Sequence, residues 1–343
     1  MFKVLGGVDA TPLCLRVRNE EELIRTVETL EPSFGAVNLE DIASPRCFRV
    51  LDALRGRMQI PVWHDDQQGT ATVLLAALMN ALEVVGKRLD TIRIAMIGVG
   101  AANVAVYRLL TACGVDPGSV VACDRVGTLH VGRTDLERQQ AELSDKWRIC
   151  RESNAEKVVG GVAEALRGAD VCIAFSTPGP GIVRPEWVRE MASDAIVFAC
   201  ANPVPEIWPD EAREVGARIV ATGRCDLPNQ VNNSLAFPGI FRGALDVRAR
   251  EITDQMAIAA ARELAAFGRE RGLRDDAVLP TMEEWEVYPR VAAATGLAAQ
   301  DEGLTETIRT RESLVDEATK KIRAAREHAE ALIAAGIIAL PPA

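Results

Sequence analysis

Five apolar, β-branched runs recur between about residues 90 and 230, with stretches of helical spacing between them. TIRIAMIGVG leads into AANVAVYRLLTACG and then SVVACDRVG, while DVCIAFST, AIVFACANP and ARIVATGR each follow a helix-like stretch, VAEALRGA, PEWVREMA and PDEAREVG. Links of that length do not close hairpins. They predict parallel strands joined by crossover helices that cover both faces of the sheet. The expected fold class is α/β, centred on a doubly wound parallel sheet.

The first run ends in Gly98, Val99, Gly100, Ala101, Ala102 and Asn103, which also open a helix. In a Rossmann-type sheet the first glycine permits a tight turn and the second lets the backbone approach a pyrophosphate resting on the helix N-terminus. Asp124 closes the next run, where a carboxylate would accept hydrogen bonds from an adenosine ribose. Asn103 replaces the third glycine, which normally allows close helix packing. NAD is the expected cofactor because the charge of Asp124 would repel a 2′-phosphate; the adjacent Arg125 leaves NADP as the alternative.

The rest of the 343 residues falls on either side of this unit. Three segments are expected: a substrate- and metal-binding α/β segment over 1–66, a Rossmann-type NAD(P) domain over 67–231, and a mostly helical segment over 232–343 that packs back on the first. Strands are expected at PLCLRVR and FGAVNLE, and TATVLLAALMNALEVV, residues 70–85, reads as a buried helix closed by Gly86. SLVDEATKKIRAAREHAEALIAAG reads as a charged helix packed on the surface. The 39 Lys+Arg against 49 Asp+Glu leave a net charge of -10, which disfavours nucleic acid as a partner. No membrane-spanning segment or secretory leader is read, so a cytoplasmic protein is expected. The eight cysteines show no metal-binding or disulfide spacing and are expected to be buried thiols, and only His64 of the three histidines lies in a motif.

Two acidic clusters stand beside β-like runs: Asn38 to Asp41 (NLED), and Trp63 to Thr70 (WHDDQQGT). Hard divalent cations such as Mg²⁺ and Mn²⁺ take several carboxylate oxygens, so two such clusters meeting at a cleft would make one site. Alternatively, Asp65 or Asp66 caps the long helix. A third group, comprising STPGPG from Ser176, ANPVP with Asn202, and QVNN with Asn233, includes two loops at the carboxyl edge of the sheet, where open α/β folds bind ligands. Asn can hold a carboxylate or hydroxyl without adding charge, although it is also common in turns.

Taken in order, GAVNLEDIASPRCF, IPVWHDDQQGTATVLLAALMNAL, GVGAAN, CDRVG, ANPVPEIWP, ATGR and LPNQVNNSLAFPGIFRGALDVRA resemble the malic enzyme family of bacterial and archaeal type, from about residue 1 to about 300. The resemblance implies oxidation of malate, or a related 2-hydroxy acid, by NAD(P)⁺ with metal-assisted decarboxylation. It also implies Glu40, Asp41 and Asp66 as the metal ligands with Asp65 beside them, and Asn202 and Asn233 at the substrate and nicotinamide end. A homodimer is the expected assembly.

One expectation runs against the resemblance. In the family, the Tyr general acid and Lys general base lie upstream of the part equivalent to MFKVLGGVDA, and by position neither Lys3, Tyr107 nor Tyr288 replaces them. Without such groups proton transfer loses a factor of about 100 to 10,000 each. Three readings follow: altered chemistry with Asp65, His64 or a water as base; a second polypeptide that supplies the groups; or a non-catalytic, nucleotide-binding regulatory homologue.

Overall fold

The computed structural model describes residues 1–339. Its centre is a six-stranded sheet in the order β5-β4-β3-β6-β7-β8, formed by β3 (Ile94–Ile97), β4 (Val120–Asp124), β5 (Gly127–Thr128), β6 (Val171–Ala174), β7 (Ala195–Ala199) and β8 (Ala217–Thr222). Every pairing is parallel except that of β4 with the two-residue β5. The doubly wound α/β class is thus borne out.

Side chains alternate across this sheet as a strand period of two requires. Ile94, Met96, Ile173, Phe198 and Ile219 face the long helices, whereas Ala95, Ala174, Ala199 and Cys172 face the short helices Val162–Leu166, Pro185–Val188 and Pro209–Glu214. Large residues therefore meet the side with α4 (Thr70–Val85), α5 (Ala101–Ala112) and the helix Asp254–Glu270. Because the chain runs from β3 outward to β4 and then back across to β6, the sheet switches direction between β3 and β6. The carboxyl ends of those two strands are where the topology opens a crevice.

A smaller unit sits before it. β1 (Val37–Leu39) and β2 (Val62–His64) pair in parallel, with α2 (Glu20–Leu30) and α3 (Arg46–Arg55) packed over them through Ile24, Val27, Leu51 and Leu54. The strand expected at PLCLRVR does not form: Pro12 to Arg18 has no regular structure and Leu13 is 48% exposed. A strand needs a neighbour for its N–H and C=O groups, and no described segment pairs with this one.

The long apolar helix forms over Thr70–Val85 and ends at Gly86, as expected. Together with the turn before it, Asp65–Val85 is long and apolar enough to cross a membrane, contrary to the expectation of no such stretch. Yet 72% of it is buried inside the protein, as befits a core helix between α5 and the helix Asp254–Glu270. The charged helix Arg311–Ala334 packs as expected, burying Leu314, Ala318, Ile322 and Ala325. Five of the eight thiols are buried, but Cys14 and Cys225 are exposed because both lie in irregular segments, and Cys113 is half-buried.

Candidate active site

The two acidic clusters come together because β1 and β2 are neighbours in register, Leu39 opposite His64. Each strand ends directly before its carboxylates. Asp41 adopts a left-handed backbone at φ 57, which Asp tolerates, and its N–H donates to Asp66 Oδ2 at 2.9 Å. Glu40 accepts from Asn38 Nδ2 at 2.8 Å. The capping alternative fails, since neither Asp65 nor Asp66 caps α4; Asp65–Gly69 forms a wide π-turn that leads into it.

Asp65 is the most constrained of these groups. Its carboxylate is 2% exposed and accepts from Asn233 Nδ2 at 2.7 Å and from Trp63 Nε1 at 3.4 Å. Burial pushes its pKa up to about 8, the charges of Glu40 and Asp66 add to the rise, and the Trp63 hydrogen bond opposes it. Gly69 is required here, because a Cβ would stand 2.0 Å from Asp65 Oδ1. His64 is buried with both ring nitrogens lacking a partner, Nδ1 lying 3.8 Å from Asp66 Oδ2. Burial holds its pKa below the usual value against the charges of Asp66 and Asp41.

A divalent cation fits the chemistry of this donor set. Glu40 and Asp66 stand close enough to add to the rise at Asp65, and a positive charge among these groups would relieve that repulsion. Among the described residues, however, no three His, Cys, Asp or Glu side chains stand close enough to hold an ion as they are arranged. Glu40 is turned toward Asn38 and Asp66 toward the Asp41 backbone, so both would have to turn to share one ion.

On the crevice side, Gly98 has φ 88 and a Cβ there would lie 2.3 Å from the Phe175 carbonyl, so the turn passes tightly over the end of β6. A Cβ added at Gly100 would meet nothing within 4 Å, which leaves open space at the start of α5 beside Ala101 and Ala102. Asn103 takes up the missing glycine's place differently. It is 1% exposed, and its Nδ2 donates to Gly98 O at 2.7 Å and Ile97 O at 3.0 Å, pinning the turn from beneath. Ser176 is held by Glu206, whose buried carboxylate accepts from the Ser176 N–H at 2.7 Å, its hydroxyl at 2.9 Å and the Ala201 N–H at 3.1 Å. Asn202 is exposed beside Gly223, where an added Cβ would meet its Nδ2 at 2.7 Å.

Asp124 is more occupied than its expected ribose contact implies. Arg133 grips it with Nη1 at 3.1 Å and Nη2 at 3.3 Å, Lys146 stands at 3.5 Å, and Val126 N–H donates at 3.0 Å. Burial raises its pKa, but these hydrogen bonds and the two cations outweigh that and hold it below the usual carboxylate value. Its charge is compensated, so it repels a 2′-phosphate less than the sequence implies. Arg125 is exposed. Tyr107 and Tyr288 are buried at 1% and 0% exposure, and Lys3 pairs with Asp9 on the surface at 2.6 Å.

Sequence reasoning missed Arg133, Glu206 and Gly69. Only Gly69 carried a visible signal, a glycine directly before a long helix.

Residues 67–299 match the family model described as malic enzyme, NAD binding domain. The chain is 44% identical over 305 residues to the NAD-dependent malic enzyme of Geobacillus stearothermophilus, which covers 89% of this chain and 61% of that protein. It is likewise 44% identical over 305 residues to the bifunctional malic/malolactic enzyme of Bacillus subtilis (strain 168), covering 89% of this chain and 72% of that one. Among solved structures, the Entamoeba histolytica malic enzyme superposes with a TM-score of 0.96 at 47% identity, over 99% of this chain and 71% of that chain. The Pyrococcus horikoshii malic enzyme does so with a TM-score of 0.90 at 45% identity, over 95% and 78%. The chain thus spans about three fifths of the G. stearothermophilus relative and about seven tenths of the B. subtilis one. On a family match of this length, this level of identity and a fold shared almost throughout, this chain belongs to the malic enzyme family.

Proposed function

We propose that this chain acts on malate or a closely related 2-hydroxy acid, using NAD⁺, or NADP⁺ as the alternative, and a divalent metal held by Glu40, Asp41 and Asp66. The observation that carries the reading is the Asp65–Asn233 hydrogen bond of 2.7 Å, which draws the acidic turn and the QVNN loop together. When bound, Mg²⁺ or Mn²⁺ would supply the charge that polarises the substrate's C2 oxygen, and the nicotinamide would accept the hydride.

The chain's own residues would do the rest. Asn233 and Asn202 would orient the substrate by hydrogen bonds that add no charge. Asp65, buried and with a pKa pushed up to about 8, would hold or take the hydroxyl proton, with His64 next to it as the other proton-handling group. Gly98, Gly100, Ala101, Ala102, Asn103 and Ser176 would frame the cofactor, and Asp124 and Arg125 its adenosine end. The unpaired thiols support a reducing, cytoplasmic setting. A homodimer belongs to the same proposal, to be checked by light scattering.

The non-catalytic alternative is favoured by one observation: Tyr107 is buried with its hydroxyl donating to Glu152 at 3.3 Å, Tyr288 is fully buried, and Lys3 is engaged by Asp9 on the surface. Absorbance at 340 nm with Mn²⁺, either nicotinamide cofactor and a panel of 2-hydroxy acids separates the two readings. Turnover that requires both metal and cofactor supports the enzyme. Cofactor-induced thermal stabilisation without turnover supports the binder.

A further inference from the structure

Two loops leave the carboxyl edge of the sheet on the side of β3 away from Asp124: residues 176–181 after β6 and residues 201–205 after β7. A dinucleotide laid across the switch between β3 and β6, with its adenosine toward Asp124, would bring its nicotinamide half over these loops. The open space at Gly100 leaves room for the pyrophosphate between the two halves. What ties the two loops to each other is one buried side chain, Glu206.

Glu206 is 0% exposed, and both of its carboxylate oxygens are in use. Oε1 accepts from the N–H and the hydroxyl of Ser176, and Oε2 accepts from the N–H of Ala201. Its main-chain carbonyl accepts from the N–H groups of Gly181 at 3.1 Å and Val183 at 3.2 Å, and the Val204 carbonyl accepts from that of Gly179 at 3.2 Å. The loop after β6 is therefore held at both of its ends by the stretch around Glu206.

Burying a carboxylate is unfavourable unless donors surround it, and here three donors from two loops take that part. An amide of the same shape would carry no charge, yet it would not serve. Gln has one acceptor oxygen, and its NH₂ would face the N–H of Ser176 or of Ala201. The row continues on both sides of the bridge. A Cβ at Gly98 would stand 3.1 Å from Ser176 Cα, and one at Gly223 would meet Asn202 Nδ2 at 2.7 Å. The glycine turn, Ser176, Asn202 and Gly223 thus lie side by side along the crevice, with Glu206 joining the middle two.

We propose that Glu206 is a positioning residue for the nicotinamide half of the cofactor: it touches no ligand itself, and it fixes Ser176 and Asn202 at the spacing that half requires. The inference rests on the cofactor reading above, in which Glu206 has no part. Loss of the bridge should release the nicotinamide half alone. The pyrophosphate and adenosine contacts belong to the turn at residues 98–103 and to Asp124, which Glu206 does not touch.

ADP-ribose, which lacks the nicotinamide, separates positioning from general damage. Calorimetric titration of the full chain is expected to show tighter binding of NAD⁺ than of ADP-ribose; the same pair with a 2′-phosphate serves where NADP⁺ binds more tightly. Glu206→Gln should weaken NAD⁺ about tenfold, as the loss of a hydrogen bond or two to a ligand does, and leave ADP-ribose within about twofold. Glu206→Asp keeps the charge without the reach to both loops and should show the same selective loss, so it carries the test should the glutamine variant not fold. Equal weakening of the two ligands would make Glu206 a merely structural residue and overturn the proposal. Unchanged NAD⁺ affinity in both variants, or equal affinity of the native chain for the two ligands, would overturn it as well. A native chain that binds neither pair would instead remove the cofactor reading itself, and the proposal with it.

Discussion

Gly98 and Gly100 look alike in the sequence, yet the structure gives them different tasks. At Gly98 a left-handed backbone and the Phe175 carbonyl leave no room for a side chain, so even Gly98→Ala should destabilise the fold. Gly100 faces open space, so Gly100→Leu is expected to unfold within about 0.5 kcal/mol of the native chain, as surface substitutions usually do, while losing at least tenfold in NAD affinity. Calorimetric titration beside a urea melt measures both; unchanged affinity in Gly100→Leu would remove the proposed cofactor turn. Gly69 is the opposite case. Its replacement by Ala drives a Cβ against Asp65 Oδ1 and should cost about 1 to 3 kcal/mol, together with any stabilisation by Mn²⁺. A variant that melts and responds to Mn²⁺ like the native chain would show that the turn is not held by that contact.

At the scale of elements, the Asp124–Arg133 pair ties the end of β4 to the segment after β5, and Asp124 is only 8% exposed in its side chain. Arg133→Met leaves the carboxylate buried with Lys146 alone, which should cost about 3 kcal/mol, the lower end for a broken buried pair. The sign of the pH dependence follows from the lowered pKa. Asp124 contributes stability above its unfolded pKa of about 3.9, and that contribution is lost as pH falls through its lower folded value. Asp124→Asn should therefore be less stable than the native chain at neutral pH and converge on it in acid. Denaturant midpoints across that window check this, and parallel curves would contradict it. Another element, the terminal helix Arg311–Ala334, is held by a narrow apolar stripe and by Lys321, which pairs with the buried Asp246 at 2.6 Å. Ile322 is fully buried in that stripe, so Ile322→Ala should cost about 2 to 5 kcal/mol. A loss below about 1 kcal/mol would mean the helix is not docked as described.

For the whole molecule, the proposed metal and cofactor sites lie on different units, the acidic turns on the β1–β2 unit and its link to α4, the glycine turn on the six-stranded sheet. Mn²⁺ and NAD⁺ should each raise the melting temperature, by about 2.7 kcal/mol of stabilisation at 100 times the dissociation constant. Failure of Mn²⁺ to stabilise the chain at any concentration would remove Glu40, Asp41 and Asp66 as ligands. Much of this organisation was legible beforehand, because it is local. Continuous apolar, β-branched runs such as VVACD or AIVFA, a helical period after GVG and acids directly following β-like runs are properties of neighbouring residues, and they determined the sheet, the turn and the two acidic clusters. What lay beyond the sequence joins residues far apart along it. Asp65 meets Asn233 across 168 positions, Asp124 is neutralised by Arg133 on a segment that reads as loop, and Glu206 reaches back across 30 positions to Ser176. PLCLRVR shows the converse, a strand-like pattern that forms no strand without a neighbour. Periodicity sets which face of an element is apolar, but which side chains meet depends on how finished elements pack, and only the tertiary structure decided that.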